Sequence, residues 1–200
     1  RKPEETQEQF IANIIEGSHD VASKTADIGN QWHEYVALNV KNILSENSNR
    51  EFPTAWIEKP PDSAKLSHLD DWLKHNVVGE VRFVEHCVAS FNTYYWNWRG
   101  FGGRIDLVTS TNNELNVYDI KTKDTIQDKK IKIWDNEKKQ LSAYRACLSG
   151  QFSQSVHAFN IVISRNENRV ELIEHSDEDM DKKYKKFIAI LNAFYVENEL

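Results

Sequence analysis

From residue 25 to residue 44 the apolar positions Ile28, Trp32, Val36, Val40, Ile43 and Leu44 recur at steps of three and four. With Thr25 or Asp27 available as a cap, that spacing predicts an amphipathic helix. Ahead of it, Phe10, Ile11, Ile14 and Ile15 predict a short helix ending in a turn around Gly17-Ser18-His19-Asp20. Residues 46 to 62 carry Asn-Ser-Asn and a Pro-Pro pair and read as loop, while residues 67 to 75 (SHLDDWLKH) read as a second helix. The period then changes. Residues 80 to 90 (EVRFVEHCVAS) alternate, and residues 103 to 109 (GRIDLVT) and 115 to 122 (LNVYDIKT) are β-branched and separated by a Thr-Asn-Asn turn. These three runs predict an antiparallel meander. Helical spacing returns over residues 136 to 148 through Leu141, Tyr144 and Leu148, and two more strands follow at 156 to 164 and 169 to 175. A last helix starts behind Ser176, whose followers Asp177, Glu178 and Asp179 suit a helix N-terminus, and it presents Phe187, Ile188, Leu191 and Phe194.

Helices, three strands, a helix, two strands and a helix make an α/β chain with a central mixed sheet flanked by helices. Two hundred residues, 40% hydrophobic and 28% charged, support one domain with one substantial core. No apolar run approaches the ~18 residues of a membrane span, and no signal h-region is visible, although a trimmed targeting segment is compatible with a chain opening on Arg1. Cys87 and Cys147 each lie in an apolar stretch and are expected as buried free thiols. Two cysteines cannot build a four-thiolate iron–sulfur cluster. The net charge of -6 argues against a nucleic-acid binder until its distribution is read. Between residues 99 and 145 ten Lys and Arg face seven Asp and Glu, a local +3 that leaves -9 for the rest.

The informative residues are Asp106 on one strand and Asp119-Ile120-Lys121 on the next. Positions i and i+2 share a strand face, so Asp119 and Lys121 point together while Ile120 packs behind. A hairpin about residues 110 to 113 sets Asp106 opposite residues 117 to 119, so both aspartates come within reach of one ion. An Asp and a Lys two apart on a strand are by themselves ordinary solvent-face residues. Here Ile105, Leu107, Val108, Val117, Tyr118 and Ile120 make both strands too apolar for that, and convergent buried carboxylates call for a proton or a cation. Oxygen ligands select Mg²⁺ or Mn²⁺ over zinc.

Gly103-Arg104-Ile105-Asp106, then Asp119-Ile120-Lys121, then Gln140-Leu141-Ser142-Ala143-Tyr144 resemble the GxxD, (D/E)xK and QxxxY series of the PD-(D/E)xK nuclease superfamily. The RecB-like exonuclease branch also carries a G-x-x-x-H element, matched by Gly29-Asn30-Gln31-Trp32-His33. The resemblance extends over residues 25 to 175 and is similar to small phage recombination and mitochondrial genome maintenance exonucleases. It implies a restriction-endonuclease-like core within a single nuclease domain over 1–200, with an N-terminal extension at 1–24, the catalytic core at 25–175 and a C-terminal helix at 176–200. It further implies that Asp106, Asp119, the Ile120 carbonyl and His33 bind Mg²⁺ or Mn²⁺, with Glu85 reaching the ion through water. Lys121 would then act on the attacking water, and Gln140 and Tyr144 would orient Lys121 and a DNA phosphate.

Around this site Arg99, Arg104 and Lys123 are expected to touch DNA. Lys129, Lys130 and Lys132, with Lys138 and Lys139, read either as a solvated face or as a phosphate track. Tyr94, Tyr95, Trp96 and Trp98 read either as packing or as base-stacking residues. The expected activity is metal-dependent hydrolysis of DNA ends or single strands. A structure-specific endonuclease, or a silent DNA-end or partner-binding protein on the same fold, are the rivals. A protein partner is compatible with the sequence. The expected location is intracellular, cytoplasmic in a phage or bacterium and mitochondrial in a eukaryote.

Overall fold

The computed structural model describes residues 26–37, 40, 69–92 and 99–198. Helix α1 occupies 26–37 and includes residue 40. It is followed by α2 (Leu69–Asn76), β1 (Glu80–Asn92), β2 (Arg99–Thr111), β3 (Glu114–Lys123), α3 (Asp135–Phe152), β4 (Val156–Ser164), β5 (Val170–His175) and α4 (Asp177–Glu197). The cluster Phe10, Ile11, Ile14 and Ile15, the loop at 46–62, and Ile43 and Leu44 lie outside the described residues.

The five strands form one sheet in the order β1-β2-β3-β4-β5. All neighbours are antiparallel except β3 and β4, which run parallel and are joined across α3. The meander arises from a tight turn at Asn112 and Asn113, both with positive φ (50° and 67°). Such a two-residue turn matches the twist of the flanking strands, and Asn tolerates the conformation.

Each strand face has its own helices, as the period-two pattern requires. Tyr118 and Ile120 of β3 and Ile161 and Ile163 of β4 pack with Trp32, Tyr35, Val36 and Val40 of α1 and Leu69 and Leu73 of α2. Leu115 and Val117 of β3 and Val156 and Ala158 of β4 face the other way, onto Leu141, Tyr144, Cys147 and Leu148 of α3 and Met180 of α4. Leu141 and Leu148 have no exposed surface, and burial of each contributes about 1.5–3 kcal/mol. Helices α3 and α4 are joined by charge: Lys183 reaches Asp135, Lys138 reaches Asp179, and Arg145 bridges Asp177 and Asp181.

Two sequence expectations fail at the margins. Cys87 is exposed and only Cys147 is buried. Cys87 sits on edge strand β1 opposite exposed Arg104, whereas its neighbour Val88 turns to the α3 face. Phe194, on the expected apolar face of the last helix, is 51% exposed. Only Met180 of that helix is buried, and near its far end the helix docks through Tyr195 on Gly100 of β2.

Candidate active site

The β2–β3 ladder runs from Thr111–Glu114 to Leu107–Tyr118 and stops one residue short of Asp106 and Asp119. Beyond that point β3 stays paired with β4, Asp119 beside Asn160 and Lys121 beside Val162. The Ile120 N–H, left without a β2 carbonyl, donates instead to Asp106 Oδ2 at 2.7 Å. The two aspartates thus meet where the strands part. On the α3 side, Lys121 Nζ donates to Asp119 Oδ1 at 2.8 Å and to Gln140 Oε1 at 3.1 Å. Gln140 Nε2 in turn donates to the Tyr144 hydroxyl at 3.0 Å, one helical turn on. One strand step further, Lys123 Nζ meets Glu137 Oε2 at 2.6 Å, so β3 and α3 are linked by two successive rungs.

From the opposite side, α1 brings His33 Nδ1 within 3.3 Å of Asp106 Oδ1. The glycines of the motifs have packing reasons. A Cβ on Gly29 would stand 3.3 Å from Thr122 Oγ1, so glycine lets α1 lie close on β3 and carry His33, one turn later, to the carboxylate. A Cβ on Gly103 would stand 2.5 Å from Tyr144 Cε1, so the GxxD glycine makes room for the QxxxY tyrosine.

Asp119 is 2% exposed. Burial pushes its carboxyl up to about 6, with Asp106 adding to the rise while Lys121 opposes it. His33 is also raised: burial works against its charged form, but the hydrogen bond and charge of Asp106, with Asp119 beyond, outweigh it. Lys121 is raised against its own burial by Asp119 and Asp106. The cluster therefore draws positive charge to itself. Two carboxylates and an imidazole fit a divalent cation in kind. As arranged, the protein's own hydrogens close them up, and among the described residues no three His, Cys, Asp or Glu donors stand together as an ion-binding group.

Two residues at the site carry no motif and escape sequence reading. Asn160 Nδ2 donates to Asp119 Oδ2 at 2.7 Å, and Asn160 Oδ1 meets His175 Nε2 at 2.7 Å. With the Asn160 amide so engaged, His175 Nε2 is the donor. Burial, aided by the charge of Lys138, holds His175 down at about 4, so it is neutral at neutral pH. The available signal was Asn160 set between the apolar residues Phe159 and Ile161 of β4 (VHAFNIVIS).

Other expected site residues fall elsewhere. Glu85 stands between pairs that flank Asp106 in register, but its backbone is left-handed (φ 51°) and its carboxylate turns to Arg104 Nε at 2.7 Å. Lys123 is committed to Glu137 and the Lys132 carbonyl. Lys138 and Lys139 pair with Asp179 and Asp135. Lys129, Lys130 and Lys132 are exposed on the segment before α3. Tyr94, Tyr95, Trp96, Trp98 and the Arg99 side chain lie outside the described residues.

A family model for the PD-(D/E)XK nuclease superfamily matches residues 9–194. The chain belongs to that superfamily, and its mixed sheet flanked by helices is the restriction-endonuclease-like α/β fold. Among solved structures, a candidate exonuclease from Eubacterium rectale is similar in fold, with a TM-score of 0.57 at 11% identity, over 88% of this chain and 68% of that one. The crystal structure of SSO0001 aligns over 62% of this chain and 55% of its own at 18% identity, with a TM-score of 0.36. No curated protein sequence matches. Nuclease chemistry on nucleic acid follows from the family, whose members typically use divalent metal ions. No helix among the described residues is long and apolar enough to cross a membrane.

Proposed function

We propose that the protein is a Mg²⁺- or Mn²⁺-dependent DNA exonuclease acting on ends or single strands. The observation that carries this is the meeting of His33, Asp106, Asp119 and Lys121 where β2 and β3 part. His33, Asp106, Asp119 and the Ile120 carbonyl would hold the ion, which when bound supplies Lewis-acid polarisation of the phosphate and a more acidic water. Ligands must shed their protons to hold a cation, so with Asp119 and His33 both raised the affinity for the ion is expected to increase with pH. Lys121, kept protonated by Asp119 and aimed by Gln140, places the attacking water in line with the phosphorus and stabilises charge on the phosphate. Tyr144 holds Gln140 from behind.

The likeness of Gly29–His33, Gly103–Asp106, Asp119–Lys121 and Gln140–Tyr144 to the motifs of the RecB-like exonuclease branch supports exonuclease over endonuclease. The test is a time course on 5′- and 3′-labelled single- and double-stranded DNA with Mg²⁺, Mn²⁺ or chelator, alongside a covalently closed single-stranded circle. Stepwise loss from ends with metal, and an intact circle, is the expected result. Cleavage of the circle replaces the exonuclease by an endonuclease. The resemblance of the GxxD, (D/E)xK and QxxxY series to phage recombination and mitochondrial genome maintenance exonucleases supports a role in DNA recombination or repair.

A further inference from the structure

Beside the Lys123–Glu137 rung lies a cavity of about 530 Å³, lined among others by Ile126, Lys129, Lys130, Lys132, Trp134 and Arg165. Two of its walls are unusual for a surface. Trp134 is 54% exposed and Ile126 62%, although a free-standing indole is normally buried in part or put to use. Trp134 is the N-cap of α3, and its backbone N–H donates to Glu137 Oε2 at 2.6 Å, which holds the main chain that carries the ring. The Lys132 ammonium lies 4.7 Å and the Lys123 ammonium 5.8 Å from the centre of its ring. The acids of the cavity are taken, Glu137 by Lys123 and Asp124 by the Arg165 guanidinium. Lys129, Lys130 and Lys132 make no ion pair among the described residues.

We propose that this cavity is a subsite for single-stranded DNA, in which one base stacks on the Trp134 indole and the adjoining phosphates lie against Lys129, Lys130 and Lys132. It rests on the nuclease reading of the neighbouring site and gives that site a substrate form. Lysines alone would serve an acidic peptide equally well. The exposed indole among them favours a chain that alternates flat bases with phosphates, and stacking needs a base free of its partner. Continuity points the same way, since Lys121 and Lys123 share one face of β3, about 7 Å apart, and the cavity opens at the second of them. On binding, Lys132 would exchange the ring for a phosphate, while Lys123, held by Glu137, stays.

The test is anisotropy of a labelled 12-nucleotide oligodeoxythymidylate and of a blunt hairpin duplex, in chelator so that binding is read without hydrolysis. Trp134→Ala is expected to weaken the oligonucleotide roughly 5- to 100-fold and the duplex less than twofold, with Trp134→Phe restoring most of the loss. Lys129→Ala/Lys130→Ala is expected to reduce the slope of log K against log salt by about 1.4. Unchanged oligonucleotide binding by Trp134→Ala, an equal loss on both DNAs, or displacement of the oligonucleotide by polyglutamate as readily as by unlabelled DNA overturns the proposal. The nuclease reading fails separately, if wild-type protein binds the oligonucleotide yet does not cleave it with any metal.

Discussion

Asn160 Nδ2 lies 2.7 Å from Asp119 Oδ2, on the oxygen that Lys121 does not touch. Asp119 is therefore gripped from both sides, and its carboxylate plane is set by a fully buried amide that is itself anchored on His175. Groups that orient a metal-binding carboxylate typically contribute 10- to 100-fold to affinity or activity. Asn160→Ala is expected to lower Mn²⁺ affinity and turnover by about that much, read by calorimetry and by initial rates. DNA affinity should move less than threefold, because Asn160 is sealed from solvent.

His175 gives a pH dependence whose sign can be worked out. Its folded-state pKa is depressed to about 4 from 6.5, so the unfolded chain takes up the proton first. The stability it contributes is complete above pH 6.5 and is lost as pH falls through 6.5 towards 4, by about 3 kcal/mol in total. Asp119 acts oppositely in part of that window, since its raised pKa favours the folded state as pH falls from about 6 towards 3.8. Wild-type stability alone would hide both. Urea titrations of wild type and His175→Gln at pH 7.5 and 4.5 separate them: the mutant should lose ground at pH 7.5 and recover most of it at pH 4.5. A constant difference between the two proteins would remove His175 from the account.

Gly103→Ala tests the contact between the GxxD and QxxxY segments. The added methyl would drive into the Tyr144 ring, which is packed in the core between α3 and the sheet. Overpacking of this kind costs about 1–3 kcal/mol. Displacement of Tyr144 passes to Gln140 and so to Lys121. Chemical denaturation should show that loss, and kcat should fall while KM for DNA changes little. Gly150→Ala, on α3 where a new Cβ meets nothing within 4 Å, should leave both intact.

Metal removal should read out at Asp119. Deleting its charge relieves burial and repulsion from Asp106, yet an Asn offers one oxygen where Lys121 and Asn160 each require one. These effects oppose, so Asp119→Asn is expected to melt close to wild type in chelator. At a hundredfold excess over its dissociation constant, Mn²⁺ should stabilise wild type by about 2.7 kcal/mol and the mutant hardly at all. An equal metal response in the two proteins would move the ion elsewhere.

The elements were legible because each obeys one period. The turn at Asn112-Asn113 set the hairpin register, and that register in turn placed Asp106 near Asp119. Asn160 and His175 were not legible, since their meeting with Asp119 depends on the parallel pairing of β3 with β4 and on the return of β5, neither of which leaves a mark on spacing. Cys87 misled because an apolar neighbourhood in sequence does not say which face of an edge strand a helix covers. Trp134 was passed over for a similar reason: nothing local distinguishes an indole at the start of a helix that is buried from one that stays at the surface.

The central claim is that Lys121 acts on water at a site built from His33, Asp106 and Asp119. It is tested most directly by single-turnover hydrolysis of end-labelled single-stranded DNA with Mn²⁺, by wild type and Lys121→Ala, with DNA and Mn²⁺ affinities measured on the same preparations. Lys121→Ala is expected to cut roughly 100- to 1000-fold more slowly, the loss that follows removal of one preorganised group, while both affinities stay within a few-fold of wild type. Hydrolysis by Lys121→Ala at the wild-type rate would contradict it.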